Sequence, residues 1–292
     1  MGMKLKYLFI AMRPYQWVKN LFIFMPLVFG QHLFERMGLL KTLATFLLFS
    51  FAASGVYLAN DILDLEGDKK HPTKRHRPIA SGLISIRQSK VVAIILICSV
   101  IFFSFILDKN ICWIIIIYCG LNLLYTLKLK DAVILDVFCI GAFYYFRILA
   151  GSLSGNVVLS NWMILCTILL ALFLAFGKRR YDLQVSRGSK PVYLKYNIYF
   201  IDRMISIISG SLVVFYALYT MDQHTINQFQ TRNMIYTIPF VYYGIFRYLY
   251  LIDKKQIGGD PTLILLKDKK MQMNLLLWIV TCITILYFPS IS

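Results

Sequence analysis

The 292 residues are 59% hydrophobic with a mean hydropathy of +0.66, above the roughly 45–50% apolar share of a water-soluble domain. Apolar stretches recur from residue 15 to 290 with short polar gaps, which excludes a large soluble domain and predicts one integral membrane domain over 1–292. The formal charge of +17 would suit nucleic acid, but the Lys and Arg residues follow the gaps between apolar stretches and form no separate basic domain. That pattern argues for no nucleic acid and leaves membrane lipids and phosphorylated substrates as partners.

A spanning helix needs about 20 largely apolar residues. Segments approaching that length lie near 15–31, 39–59, 90–107, 111–127, 132–151, 160–177, 204–220, 233–251 and 273–290. Long apolar runs without alternation favour helices over a barrel, so the fold class is all-α, a polytopic membrane bundle of about nine helices. The N-terminus and the connections after helices two, four, six and eight hold four, seven, two, seven and five basic residues. The other side holds Arg36, Lys41, Lys109 and Arg232. Basic residues gather on the cytoplasmic side, so the N-terminus is expected inside and the C-terminus outside, in a bacterial plasma membrane. Homo-oligomerisation is left open by the sequence.

The first apolar run begins with Arg13, Gln16, Trp17, Lys19 and Asn20, an aromatic interfacial anchor mixed with polar groups, and it lacks a small-residue cleavage site. Lys19 and Asn20 are site candidates. All six cysteines fall in apolar stretches with no CxxC spacing, consistent with small apolar filler.

Where the second helix ends, residues 60–82 read NDILDLEGDKKHPTKRHRPIASG. Asn60, Asp64 and Asp68 are spaced by four and Asp61 precedes Asp64 by three, so a continuing helix would set them on one broad face, with Gly67 a candidate break. A carboxylate at the centre of a span costs about 2.5–3.5 kcal/mol, and three so close repel one another. Mg²⁺ would compensate, since it prefers oxygen ligands and joins carboxylates to substrate phosphates. The plain alternative is a solvated acidic helix end neutralised by Lys69, Lys70, Lys74, Arg75 and Arg77.

Arg147 stands inside the apolar stretch DVFCIGAFYYFRILAG, where a charge faces the bundle interior or a wet cavity; pairing with Asp136 is its structural alternative. After the sixth helix, Lys178, Arg179, Arg180 and Asp182 open a basic connection with Arg187, Lys190 and Lys195. Forked Arg donors and compact Lys charges suit a phosphorylated substrate, although each residue could equally mark the cytoplasmic side.

The 60–82 stretch resembles the first aspartate-rich motif of the UbiA prenyltransferase superfamily, including its RPIxxG element. YTLKLK at 125–130 is similar to that family's YSxxLK element, and Arg147 and Gly151 follow in order. Within the superfamily, RPYQWVKN at 13–20, GKRRYDL at 177–183 and GGDPTLILLKDKK at 258–270 resemble the decaprenyl-phosphate phosphoribosyltransferase branch. Prenyltransferases of the superfamily carry a second DxxxD-like motif after helix six; here three basic residues and one carboxylate stand in its place.

The resemblance implies a helical bundle around a central cavity, with Asn60, Asp61, Asp64 and Asp68 holding Mg²⁺ and a diphosphate. It implies Asp61, Asp64, Asp68, Lys178 and Asp182 as catalytic residues. Lys19, Asn20, Lys74, Arg77, Lys130, Arg147 and Arg179 would bind substrate. The implied reaction moves 5-phosphoribose from phosphoribosyl pyrophosphate to a polyprenyl phosphate in cell-envelope lipid precursor synthesis. The competing readings are transfer of a prenyl group from an allylic diphosphate to an aromatic acceptor, and a transporter.

Overall fold

The computed structural model describes residues 2–71, 73–186, 196–255 and 260–288. Every regular element among them is helical, and eight helices are long and apolar enough to cross a membrane. The chain forms two compact units. One comprises residues 1–27, 32–132 and 146–158, the other 28–31, 133–145 and 159–292.

The first unit is built from α1 (Gly2–Ala11), a 3-10 segment (Pro14–Phe24), the start of α2 (Met25–Phe29), α3 (Arg36–Leu63), α4 (Leu65–Lys70), α5 (Ile86–Leu107), α6 (Lys109–Leu127) and the C-terminal half of α7 (Leu135–Gly155). The centre of α3 carries Ala52, Ala53, Ser54 and Gly55, all buried. Small side chains let backbones approach closely in lipid, and α3 accordingly makes its most extensive packing against α5. The opposite face of α5 exposes Ile94, Ile95, Phe102, Phe103, Phe105 and Ile106, as a lipid-facing surface does. Ser85 caps α5 by accepting from the Gln88 N–H at 3.2 Å, and Asp108 caps α6 through the Asn110 N–H at 2.8 Å.

The first apolar run departs from the expected continuous α-helix. Its 11 residues from Pro14 to Phe24 are 3-10 helix, followed by the short α2. Runs of 3-10 longer than three or four residues are uncommon because their hydrogen bonds are poorer, so side chains must hold this one. Trp17 Nε1 donates to Ser54 Oγ at 3.0 Å and Asn20 Nδ2 to Ser50 Oγ at 3.0 Å, both on α3. On its other flank lies Gly151 of α7, where a Cβ would stand 2.0 Å from the Ile23 carbonyl oxygen. Only glycine admits that approach.

The second unit contains the N-terminal half of α7, α8 (Asn161–Ser186), α9 (Ile198–Met221), α10 (Gln223–Phe229), a 3-10 turn (Asn233–Thr237), α11 (Ile238–Lys255), α12 (Pro261–Lys267) and α13 (Lys269–Tyr287). Its core includes Leu172, Phe173, Phe176, Ile201, Ile205 and Leu251. Asn197, Asp260 and Asp268 cap α9, α12 and α13 by accepting the Tyr199, Thr262 and Met271 N–H groups. The sequence reading ended the sixth span at 177, whereas α8 runs on to Ser186 and carries GKRRYDL as helix. Ion pairs from Arg179 and Arg180 within this unit explain the extension. Arg187, Lys190, Lys195, Gly258, Gly259 and residues 289–290 lie outside the described residues.

Candidate active site

The acidic helix end folds much as its spacing predicts, with the break displaced. α3 continues through Asn60 and Asp61 to Leu63, and the turn falls at Asp64 (φ −90°, ψ 6°), not at Gly67. α4 then resumes, so Asp68 follows Asp64 by a turn, and its N–H donates to the Asp64 carbonyl at 2.8 Å. Asn60, Asp61, Asp64 and Asp68 therefore share one end of the helix pair.

Each of these groups is engaged by a polar side chain from elsewhere in the first unit, Asp68 by one nine residues along the chain. Asp61 Oδ1 accepts from Arg13 and from Arg77 Nη1, the latter at 3.1 Å. The same Arg77 nitrogen reaches Asp68 Oδ2 at 2.5 Å and so bridges two carboxylates. Lys130 Nζ donates to Asp64 Oδ1 at 2.5 Å, and Thr126 Oγ1 to Asn60 Oδ1 at 2.7 Å. Both come from the YTLKLK stretch, Thr126 near the end of α6 and Lys130 in the 3-10 turn Leu129–Asp131. Asp61 is 3% exposed, and its second oxygen, Oδ2, is buried with no hydrogen-bond partner.

The RPIASG stretch shows why its residues go together. Arg77 supplies the bridging guanidinium, Ile79 buries against Leu58, Ala11 and Ala93, and Gly82 turns the chain at φ 77°. Lys74 precedes them in the 3-10 turn Lys74–His76, half-buried, its N–H donating to His71 Nδ1.

Arg13 was the residue that sequence reasoning passed over as a site candidate. It adopts a left-handed conformation (φ 54°, ψ 58°) immediately before Pro14 and stacks over the Tyr57 ring at 4.9 Å. A non-glycine residue in that region is uncommon and costs of order 1–3 kcal/mol, and such strain gathers at functional positions. Burial is the largest single influence and works against its charge, but the Asp61 carboxylate together with the Tyr57 and Tyr15 side chains outweighs it and holds the guanidinium pKa above its ordinary value. Its place in RPYQWVKN was the available signal.

A second polar line crosses the interior of the same unit. Arg147 Nε donates to Asn20 Oδ1 at 2.7 Å, and its Nη2 lies 3.3 Å from the Tyr118 hydroxyl. Asn20 passes the line on through its amide N–H to Ser50. Arg147 is 3% exposed, so its charge faces the interior as expected; the structure gives it Asn20 and Tyr118, and Asp136 engages other groups. Lys19 is half-buried beside Asn20 in the 3-10 segment.

In the second unit, Asp136 accepts from Arg179 Nε at 2.8 Å and from the Tyr196 hydroxyl at 2.8 Å. Asp182 lies 3.9 Å from Arg179. Burial and the neighbouring carboxylate both raise the Tyr196 pKa, keeping it a neutral donor. Arg179 is thus part of a buried lock joining α8 to the start of α7. Lys178 and Asp182 are half-buried on either side of it in α8.

Among the described residues, no three Asp, Glu, His or Cys side chains converge as they stand on a metal position. Arg77 and Lys130 occupy the carboxylates instead. The donor set nevertheless fits a hard divalent cation: three carboxylates and an amide oxygen, with one carboxylate oxygen buried and unsatisfied. Binding requires the cationic side chains to turn away.

Comparison with known proteins agrees with this architecture. The UbiA prenyltransferase family model matches residues 22–276. The chain is 31% identical over 293 residues to decaprenyl-phosphate phosphoribosyltransferase of Mycolicibacterium smegmatis, covering 95% of this chain and 92% of that one. It is 30% identical to the Corynebacterium glutamicum protein of the same name, covering 95% and 86%. Among solved structures, a UbiA homologue from Archaeoglobus fulgidus bound to DMAPP and Mg²⁺ matches with a TM-score of 0.71 at 17% identity, over 95% of this chain and 98% of that one. The chain belongs to the UbiA prenyltransferase family and is a membrane-embedded transferase.

Proposed function

We propose that this transferase moves a 5-phosphoribosyl group from phosphoribosyl pyrophosphate to a polyprenyl phosphate and releases pyrophosphate. The observation that carries the reading is the acidic helix end, where three cations pair with the carboxylates and Asp61 Oδ2 is still buried and unsatisfied. The names of its relatives support the donor and acceptor, and the Mg²⁺ in the Archaeoglobus structure supports the ion. The absence of a second DxxxD-like motif, with GKRRYDL in its place, favours a sugar-phosphate donor over an allylic one.

In this reading Asn60, Asp61, Asp64 and Asp68 hold Mg²⁺, which when bound would neutralise the diphosphate leaving group. Arg13, Arg77 and Lys130 then exchange carboxylate partners for phosphate oxygens, to which forked guanidinium donors are well matched. The anomeric C–O bond breaks as pyrophosphate departs, and an oxygen of the lipid phosphate forms the new bond. The acceptor is already an anion, so the chain has no proton to remove from it. Positioning and charge stabilisation supply the rate. Lys178 and Asp182 are assigned to the same reaction by the GKRRYDL resemblance. The basic residues in alternate connections support a cytoplasmic N-terminus and active-site loops, with the C-terminus outside.

The test presents membranes containing the protein with two substrate pairs: labelled phosphoribosyl pyrophosphate plus polyprenyl phosphate, and a prenyl diphosphate plus an aromatic acid. Label in the lipid extract of the first pair alone supports the proposal. Product from the second alone rejects it.

A further inference from the structure

Thr126 is a buried residue near the end of α6, at the edge of the acidic site. Its hydroxyl lies 2.7 Å from Asn60 Oδ1 and 3.0 Å from the Asn122 carbonyl oxygen one turn back. Four residues on, Lys130 meets Asp64, which is itself four residues beyond Asn60. The end of α6 thus follows the end of α3 turn for turn, and both helices fix the place of the hydroxyl against the Asn60 amide.

A threonine hydroxyl carries one proton and two lone pairs. With two acceptors in reach, Thr126 serves one at a time. As the side chains stand, the proton goes to Asn60 Oδ1, the only atom through which that amide can ligate a hard cation. A donor on that oxygen competes with an ion for it. Threonine in a spanning helix commonly returns its proton to the carbonyl four residues back, and the Asn122 carbonyl is placed to take it.

One movement settles the competition. A half-turn of the Asn60 amide about its Cβ–Cγ bond exchanges oxygen and nitrogen. Nδ2 then donates to a lone pair of Thr126 Oγ1, the hydroxyl proton goes to Asn122, and Asn60 Oδ1 is released on the side away from the buried Thr126. The hydroxyl accepts where it had donated, so the amide keeps its hydrogen bond to α6 in either setting. Without the hydroxyl nothing holds the amide in the ligating setting, and Nδ2, which repels a cation, faces the ion as readily as Oδ1.

We propose that Thr126 is a positioning residue, which orients the Asn60 amide so that its oxygen faces the Mg²⁺ of the diphosphate site; the inference rests on the reading that Asn60 ligates that ion. The purified full-length protein in nanodiscs is assayed for binding of labelled inorganic pyrophosphate at rising Mg²⁺, a measure that needs no turnover. Thr126→Val, of the same shape without the hydroxyl, should raise the Mg²⁺ needed for half-saturation roughly fivefold, the worth of one hydrogen bond. Thr126→Ser should restore the wild-type requirement. In Asn60→Asp, whose carboxylate presents an oxygen whichever way it turns, Thr126→Val should add no shift, a result that a merely structural role would not give. An unchanged Mg²⁺ requirement in Thr126→Val beside Mg²⁺-dependent binding by the wild-type chain, or a shift that persists in the Asn60→Asp background, overturns this proposal and leaves the metal reading standing. Absent or Mg²⁺-independent binding by the wild-type chain removes the metal reading and the proposal with it. Thr126→Ala, which adds no bulk, gives the same readings if the valine variant does not fold.

Discussion

Arg13 and Asp61, 48 residues apart, form an ion pair that joins the strained start of the first apolar run to the end of α3. Asp61 is buried, shares one oxygen with Arg77 and leaves the other unsatisfied. The arrangement is that of a buried anionic site neutralised by the protein's own cations, with one carboxylate oxygen left over.

Removing Arg13 should therefore unbalance the site more than it loosens the fold elsewhere. Arg13→Gln leaves Asp61 with Arg77 alone, and breaking a buried pair costs about 3–5 kcal/mol. The melting temperature of the purified variant should fall in EDTA and recover partly in Mg²⁺, because an ion then supplies the missing charge. A fall of the same size in both buffers would show that Asp61 does not meet the metal.

Asp64 tests the chemistry with less effect on folding, since it is partly exposed and its partner Lys130 also reaches solvent. Asp64→Ala should abolish Mg²⁺-dependent transfer while the protein still inserts and purifies as a monodisperse species. Normal turnover in a folded variant would remove Asp64 from the site.

Gly151 tests the packing that sets Asn20 and Arg147 in place. A Cβ there would overlap the Ile23 carbonyl oxygen, a backbone atom that cannot swing aside. Gly151→Ala should cost several kcal/mol, on the scale of an overpacked core or more, and should abolish expression of folded protein. Gly120→Ala is the control: nothing lies within 4 Å of its added methyl group, and Ala favours a helix by about 1 kcal/mol over Gly. Equal stability of the two variants would contradict the close approach.

Asn20 and Arg147 should be coupled. Arg147→Met leaves the Asn20 carbonyl oxygen without that donor inside the unit, and Asn20→Leu leaves a buried guanidinium short of an acceptor. Each single change should cost more than half of the double change, because it leaves a buried polar group short of one hydrogen bond, whereas the double change removes both groups. Additive losses in a double-mutant cycle would show that the two do not act as a pair.

The sequence made the span count and the acidic motif readable because both rest on local rules, apolar length and helical spacing. The helical spacing of Asp61, Asp64 and Asp68 needed no tertiary information. Other features were hidden because they depend on contacts far along the chain. The 3-10 form of Pro14–Phe24 is fixed by Ser50, Ser54 and Gly151, and no window of the sequence contains both parties. GKRRYDL read as a connection because three consecutive charges end an apolar run; its helical form comes from Asp136, Asp202 and Asp253, which bind the two arginines from elsewhere in the second unit. Arg13 lies in RPYQWVKN, but only its left-handed backbone and its reach to Asp61 join it to the acidic cluster.

The most direct measurement is the lipid-extract assay on purified protein with labelled phosphoribosyl pyrophosphate and polyprenyl phosphate, run with Mg²⁺ and with EDTA, beside Asp61→Asn. Label should appear in the lipid phase only with Mg²⁺ and the wild-type chain, accompanied by one pyrophosphate per product. Equal labelling in EDTA, or from Asp61→Asn, would contradict a metal-held diphosphate at the end of α3.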